Sequence, residues 1–347
     1  MLTFFNEQHG LHHGRHECFR GDLVPCFDNP QRATTLLAEL ERRNLGNIVT
    51  PHKMPLMSLE RIHSPRYLHF LRHAWSDWVA LDPANAAKDA LPSVWPVRGL
   101  RSDIEPDNFT GKLGLYSMDN GTPLTAGTWS AAKTGADCAI NAAHALRLGE
   151  RATFALTRPP GHHAGADFFG GYCFLNNAAL AAQHLLDDGA RRVAILDLDY
   201  HHGNGTQSIF YQRDDVLFVS IHADPRSDYP FYLGHADETG AGKGIGHNLN
   251  LPLPAGSSSA TWFAALETAC LRLAGYAPDA LVVSLGVDTY AGDPLSTFKL
   301  QSGDFLRVGE RIAYLGLPTA FILEGGYALK QIGVNVVNVL EGFETGD

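Results

Sequence analysis

The sequence predicts a single α/β domain over residues 1–347, with a multi-stranded parallel sheet covered by helices on both faces. After residue 150, short apolar runs alternate with stretches of helical periodicity, which is the pattern of a parallel sheet. The central run, 193–198, is too short for most helices and opens directly into acidic residues, histidines and glycines. Such a strand end predicts an active site at the carboxyl edge of the sheet. We find no internal repeat or linker that would divide the chain.

The amino-terminal third has fewer regular elements. Residues 1–28 are predicted to be irregular, and their loose histidine cluster lacks the carboxylates or thiols of a metal framework. A helix is predicted over 29–45, where Pro30 suits the first turn, and another over 65–78, where aromatic and leucine residues share one side.

The remainder alternates regularly between strands and helices. The predicted strands are 153–156, 193–198, 216–221, 280–287 and 319–323, and the predicted helices are 127–148, 176–188, 260–274, 304–316 and 332–343.

A long loop insertion is predicted over about 81–125, where prolines, glycines and polar residues interrupt any periodicity. A loop of this length in a compact domain is usually functional. Its acidic residues either hold a cation or are solvated charges, and composition alone favours the second interpretation. These residues are Asp103, Glu105, Asp107 and Asp119.

Composition excludes several classes of protein. With 45% apolar and 18% charged residues, the chain is typical of a soluble enzyme with a substantial core. A formal charge of -10 argues against nucleic acid or an anionic membrane as partner and favours cationic ligands. The five cysteines form no CxxC pair, and the chain shows neither a signal peptide nor a membrane span, so we expect a reduced, cytoplasmic protein.

Reactive groups follow four of the predicted strands, and this convergence is the strongest functional signal. Asp199, His201 and Asp288 would form a set of two carboxylates and one imidazole with an open fourth position. Such a set suits a hydrolytic zinc or ferrous ion, which activates water and polarises a carbonyl. With Asp197 nearby, the carboxylates are hard to pair without a cation.

Two adjacent histidines, His162 and His163, follow another strand and could supply a general base and acid. Each imidazole needs a partner that fixes its tautomer, and Asp197 and Asn204 are the candidates. Tyr327 follows two glycines and could donate a hydrogen bond to a developing oxyanion.

Together these motifs resemble the arginase/deacetylase superfamily in its histone-deacetylase branch, and within it the bacterial acetylpolyamine amidohydrolases. The resemblance covers nearly the whole chain. Its most specific blocks are 158–177 (RPPGHHAGADFFGGYCFLNN), 195–211 (ILDLDYHHGNGTQSIFY), 283–294 (VSLGVDTYAGDP) and 324–327 (EGGY), with weaker blocks at 11–17, 23–27, 63–67 and 124–129.

The resemblance implies a zinc ion on Asp199, His201 and Asp288, His163 as general base and acid, and Tyr327 as the group that polarises the acetamide carbonyl. It implies His162, paired with Asp197, as an electrostatic partner. Asn204 stands where many histone-directed enzymes carry aspartate, so the partner of His163 would be neutral.

The resemblance also implies a substrate passage and a second ion. The passage would involve Gly171, Tyr172, Tyr229 and Leu295, with Arg32 at an acetate exit. A structural potassium ion would be held by Asp197, Asp199, His201, Ser220 and Ile221. Glu105 and Asp119 become the expected ligands of a distal ammonium, since the polyamine branch carries an insertion that narrows the mouth and forms a homodimer.

The predicted function is hydrolysis of acetylputrescine, acetylcadaverine or acetylspermidine to acetate and free amine. The alternative is an acetyl-lysine protein or peptide deacetylase with the same site. An arginase-like ureohydrolase is disfavoured because Asp288 is followed by Thr289 and Tyr290 rather than by a second aspartate two residues on. A non-enzymatic polyamine sensor is disfavoured because every reactive position is filled.

Overall fold

The computed structural model describes residues 1–346 and contains one large sheet of eight parallel strands. A small antiparallel hairpin, β2–β3, lies outside that sheet. The strands are β1 (Leu2–Phe4), β2 (His16–Phe19), β3 (Asp22–Pro25), β4 (Asn47–Val49), β5 (Ala152–Ala155), β6 (Val193–Asp197), β7 (Val216–Ala223), β8 (Asn248–Leu253), β9 (Ala280–Leu285) and β10 (Thr319–Leu323).

Ten helices accompany these strands in the described part of the chain. They are α1 (Gln31–Arg43), α2 (Leu56–Leu59), α3 (Pro65–Leu81), α4 (Phe109–Leu115), α5 (Thr128–Arg147), α6 (Asn177–Asp187), α7 (Asn204–Phe210), α8 (Ser259–Tyr276), α9 (Ser302–Ala313) and α10 (Ile332–Thr345).

The sheet order is β4-β1-β5-β10-β9-β6-β7-β8, so β5, β10, β9 and β6 are four adjacent inner strands. Side chains alternate between two cores: Val193 and Ile195 of β6 lie in one, and Ala194 and Leu196 in the other. Helices α3, α5 and α6 contribute to the first core and α1, α8, α9 and α10 to the second. The predicted parallel sheet with helices on both faces is confirmed.

Two predictions about irregular segments were wrong. Within residues 1–28, β1 joins the main sheet between β4 and β5, and β2 and β3 pair as a hairpin. A three-residue strand is too short to show periodicity, so its place depends on pairing with strands distant in sequence. Strands β4 and β8 and helix α7 were also not predicted.

Residues 81–125 are not a loop throughout, since they contain α4 and a short 3-10 turn over Pro83–Ala87. Helix α4 includes Gly111 and Gly114, which have low helix propensity. A Cβ atom at Gly114 would lie 1.6 Å from the Val94 carbonyl oxygen, so this glycine lets α4 pack closely against the preceding segment of the insertion.

Several aliphatic side chains of the insertion are exposed: Val94, Val97, Leu100 and Ile104. The homodimer expected from the insertion stays a prediction. No helix among residues 1–346 combines the length and apolar character needed to cross a bilayer. All five cysteines are free thiols.

Close packing of α9 on α10 gives a stability prediction. A Cβ at Gly309 would lie 1.9 Å from the Val339 carbonyl oxygen, whereas a Cβ at Gly303, on the same helix, meets nothing within 4 Å. We expect Gly309→Ala to lower the free energy of unfolding by about 1–3 kcal/mol, the usual cost of overpacking. Gly303→Ala should leave it unchanged or raise it by up to about 1 kcal/mol. Urea denaturation of both variants tests this, and equal effects would contradict the assigned contact.

Candidate active site

Three candidate metal ligands meet at the carboxyl ends of β6 and β9, which are adjacent strands. Asp199 and His201 follow β6, and Asp288 follows β9. The Nδ1 atom of His201 lies 3.2 Å from Asp199 Oδ1 and 3.2 Å from Asp288 Oδ2. The three residues each offer a ligand atom within 4.8 Å of the others, so they can bind one ion together.

The electrostatics of this trio fit a cation. Both carboxylates are buried, at 1% and 0% exposure. Burial, followed by the Asp199 charge, raises the pKa of Asp288 to about 7. Burial also acts to raise the pKa of Asp199, but His162 and His201 outweigh it and lower that pKa below its usual range. Two buried carboxylates held this close repel one another unless a positive charge lies between them.

Backbone amides hold the carboxylates in place. The Tyr200 amide donates to Asp288 Oδ1 at 2.8 Å, and the Gly325 amide donates to Asp199 Oδ2 at 2.7 Å. Each carboxylate therefore keeps its other oxygen near His201, which orients the trio before any ion binds.

His162 is the charged member of the histidine pair. Its Nδ1 atom lies 3.0 Å from Asp197 Oδ2, and both side chains are buried. Burial acts to lower the pKa of His162, but the charges of Asp197 and Asp199 outweigh it and raise the pKa to about 10. The Glu324 carboxylate accepts the His162 amide at 3.1 Å and the Gly161 amide at 2.6 Å, which fixes the loop that carries both histidines.

His163 is the neutral member. Burial, together with the nearby His162 and His201, lowers its pKa well below the usual value. Its Nδ1 atom lies 2.7 Å from Asn204 Oδ1. An amide oxygen only accepts, so Nδ1 carries the proton and Nε2 is free to take one. This is the state a general base needs.

Tyr327 follows β10 on a turn that is fixed from two sides. Asp293 Oδ2 accepts the Tyr327 amide at 2.7 Å, and Arg32 Nε donates to the Gly326 carbonyl at 2.7 Å. The Arg32 guanidinium also lies 4.7 Å from the centre of the Tyr327 ring. Burial raises the pKa of Tyr327 well above its usual value, so its hydroxyl stays a hydrogen-bond donor.

Two further tyrosines flank these groups. The Tyr229 ring lies 5.0 Å from that of His163, and the Tyr172 ring 5.6 Å from that of Tyr327. Gly171 has φ 55°, and a Cβ there would lie 2.2 Å from the His163 ring, so only glycine fits this approach.

The acidic candidates of the insertion differ in position. Asp119 Oδ2 accepts the Tyr229 hydroxyl at 2.7 Å and the Gly171 amide at 2.6 Å, which places Asp119 beside the tyrosines. Glu105 instead accepts the Tyr116 hydroxyl and pairs with Lys112 at 3.3 Å.

The remaining predicted residues lie around this centre. The Leu295 amide donates to Asp293 Oδ1 at 3.0 Å, on the loop that holds Tyr327. Asp197 and Ser220 are partners in the β6–β7 register, and Ile221 is buried beside Ser220. Ser220 Oγ lies 2.8 Å from His222 Nδ1, and the potassium set stays a prediction.

Sequence reasoning assigned no role to three acids that hold the site together: Glu17, Asp293 and Glu324. Glu17 lies on β2 and accepts the Tyr172 hydroxyl at 2.7 Å; burial raises its pKa to about 7. Each of the three lies in or beside a recognised motif block, which was the available signal. Their burial could not be read from the sequence.

Comparisons with known proteins show which family the sequence and fold match. The Histone deacetylase domain family matches residues 26–343. The chain is 55% identical over 344 residues to acetylpolyamine amidohydrolase 2 of Pseudomonas aeruginosa and 45% identical over 342 residues to the acetylpolyamine amidohydrolase of Mycoplana ramosa, with 99% of each chain covered in both cases. The crystal structure of an acetylpolyamine aminohydrolase from Burkholderia pseudomallei superimposes with a TM-score of 0.94 at 40% identity, covering 99% of each chain.

Proposed function

Because this chain belongs to the histone deacetylase family, whose members hydrolyse acetyl amides, we propose that it removes acetyl groups from acetylated polyamines or diamines. The products would be acetate and the free amine. The observation that carries the proposal is the meeting of the Asp199–His201–Asp288 trio with a neutral His163 and the Tyr327 phenol. The full-length identity to acetylpolyamine amidohydrolases supports the substrate class.

We propose that Asp199, His201 and Asp288 hold zinc, with ferrous iron as the alternative. A divalent ion at this trio would polarise the amide carbonyl and make water more acidic. His163 Nε2 takes a proton from the attacking water and returns it to the amine nitrogen as the carbon–nitrogen bond breaks. The Tyr327 hydroxyl donates to the carbonyl oxygen while it gains negative charge. His162 keeps its proton and adds positive charge nearby.

Between the two acidic candidates for the distal ammonium, we propose Asp119. It already contacts the Tyr229 hydroxyl and Gly171, next to the reacting groups. Its Oδ1 atom accepts the Gly121 amide and retains capacity for another donor. Glu105 is occupied by Lys112 and Tyr116.

The substrate class is tested by acetate release from the purified, zinc-loaded protein. We expect acetylputrescine, acetylcadaverine and acetylspermidine to be hydrolysed with a higher kcat/KM than an acetyl-lysine peptide. Hydrolysis of the peptide alone would support the protein-deacetylase alternative. A protein that binds metal but leaves all these amides intact would refute the proposal.

Replacing Tyr327 by phenylalanine removes the hydroxyl but keeps the ring that Arg32 contacts. We expect kcat to fall by about 10²–10³-fold, the usual loss for one donor to an oxyanion. Metal content and Tm should not change, because no ligand is lost. Tyr314→Phe, at a tyrosine that is 68% exposed, is the matched control. An active Tyr327→Phe enzyme would exclude this role for the phenol.

Replacing Asp119 by asparagine tests the ammonium contact. We expect KM for acetylspermidine to rise about tenfold, since one charge-assisted contact contributes roughly 1.5 kcal/mol or more. A neutral substrate such as N-acetylbutylamine should be affected much less. Glu105→Gln is the comparison variant, and we expect its KM to stay near that of the unmodified enzyme. An equal rise in KM for charged and neutral substrates would show that Asp119 only packs beside the tyrosines and does not contact the ammonium group.

A further inference from the structure

A second group of potential metal ligands lies on the helical surface, at the carboxyl ends of α5 and α6. His144 comes from the last turn of α5, His184 from the last turn of α6, and Asp188 caps α6. We propose that His144, His184 and Asp188 form a peripheral site for a divalent zinc-like cation. This site is independent of the proposed hydrolytic reaction.

The geometry of the three ligand atoms carries the inference. Asp188 Oδ2 lies 3.2 Å from His144 Nδ1 and 3.3 Å from His184 Nε2. The two ring nitrogens lie 3.4 Å apart. A tetrahedral ion with ligands at about 2.0–2.1 Å requires ligand atoms roughly 3.3–3.4 Å apart. The atoms therefore already form one face of such a tetrahedron, with spacings close to those around His201 in the active site.

Hydrogen bonding accounts less well for this arrangement. If both imidazoles donated to Asp188, two N–H bonds would converge on one oxygen while their nitrogens faced each other at 3.4 Å. A single cation would take the place of both protons, and the two imidazole nitrogens and the carboxylate oxygen would all coordinate it. Burial lowers the pKa of His184, which favours the neutral, metal-binding form of that imidazole.

The supporting structure is rigid and accessible. Helices α5 and α6 pack together through the first core, so their ends keep a fixed spacing. A surface cleft lined by Ser58, Gln183 and His184 gives solvent access beside the ligands. Neighbouring Asp187 is paired with Arg61 and is not needed as a ligand.

The site is separate from the catalytic trio. The Asn176 side chain, which caps the amino end of α6, donates to the Ala164 carbonyl next to His163. Eleven residues of helix separate this end from His144 and Asp188 by about 16 Å. Two imidazoles and one carboxylate select a zinc-like transition ion over magnesium or calcium, which prefer oxygen ligands.

Cobalt binding to the full-length protein tests the proposal, with Co²⁺ as the only added metal. Equilibrium dialysis and elemental analysis give the stoichiometry, and visible absorption reports tetrahedral Co²⁺. We expect His144→Ala and Asp188→Asn each to bind one Co²⁺ fewer per chain than the unmodified protein, with unchanged deacetylase activity. Asp288→Asn should keep the equivalent that these two variants lose.

His73→Ala is the matched control, because His73 is a partly exposed histidine on α3 whose Nδ1 already donates to the His69 carbonyl. It should bind as much Co²⁺ as the unmodified protein. His144 is 51% exposed as a side chain, so its removal should not affect folding, and Tm measurements check this. The proposal is overturned if either surface variant retains full stoichiometry, or if its loss of metal is matched by His73→Ala.

Discussion

Replacing Asp288 by asparagine is expected to reduce kcat/KM by about 10³-fold or more and to abolish binding of the proposed metal ion. The variant changes one charge, and its amide oxygen can still accept the Tyr200 amide that now bonds to Asp288 Oδ1. A Lewis acid contributes several kcal/mol to the transition state, and each 1.36 kcal/mol is about a tenfold change in rate. Acetate release and elemental analysis of the same sample measure both effects.

The same substitution, although it lowers activity, should raise the stability of the metal-free protein. Without a cation, Asp199 and Asp288 are two buried carboxylates in close repulsion, and the neutral amide removes that repulsion. We therefore expect metal-free Asp288→Asn to have a higher Tm than the metal-free parent. Asp103→Asn, at an exposed carboxylate, should change neither property. A lower Tm for metal-free Asp288→Asn would contradict the electrostatic account.

Replacing His163 by alanine is expected to lower kcat by about 10²–10⁴-fold, the usual contribution of general acid–base catalysis. In contrast to Asp288→Asn, this variant should keep its metal, because His163 is not one of the three ligands. The two variants thus separate loss of proton transfer from loss of the ion.

Asn204→Ala tests how His163 is oriented. It removes the oxygen that lies 2.7 Å from His163 Nδ1 but leaves the imidazole in place. A loss of about 10–100-fold is expected, smaller than that of His163→Ala. If the His163→Ala variant described above deacetylated its substrate at the unmodified rate, His163 could not be the general base.

The sequence predicted the central part of the fold well. The inner strands are short, mainly apolar and fully buried, as expected for strands covered on both faces, and each is followed by candidate reactive residues. Local pattern and strand-end position were enough to place Asp199, His201 and Asp288 at one edge of the sheet. The pairing of His162 with Asp197 and of His163 with Asn204 was implied by the resemblance to the histone-deacetylase branch, and the structure brings those atoms within hydrogen-bonding distance.

The periphery was less predictable for physical reasons. Strands β1 and β4 have three residues each, and Pro252 interrupts the strand pattern of β8. The roles of Glu17 and Asp293 depend on long-range contacts that a single sequence does not reveal. Helix α4 was not predicted because its glycines have low helix propensity. These glycines instead permit tight packing within the insertion.

The four inner strand ends and the outer segments that surround them contribute different residues to the site, and this division has an evolutionary consequence. The candidate metal ligands and the two histidines lie on loops that leave adjacent buried strands, whereas Glu17 and Asp119 reach the tyrosines from the β2–β3 hairpin and the 81–125 insertion. Changes of length or of acidic residues in these outer segments would alter the tyrosine side of the site, while the strands that carry the candidate catalytic groups stay within the sheet. Descendants of one ancestor can therefore diverge in the amines they select while inheriting the same reaction.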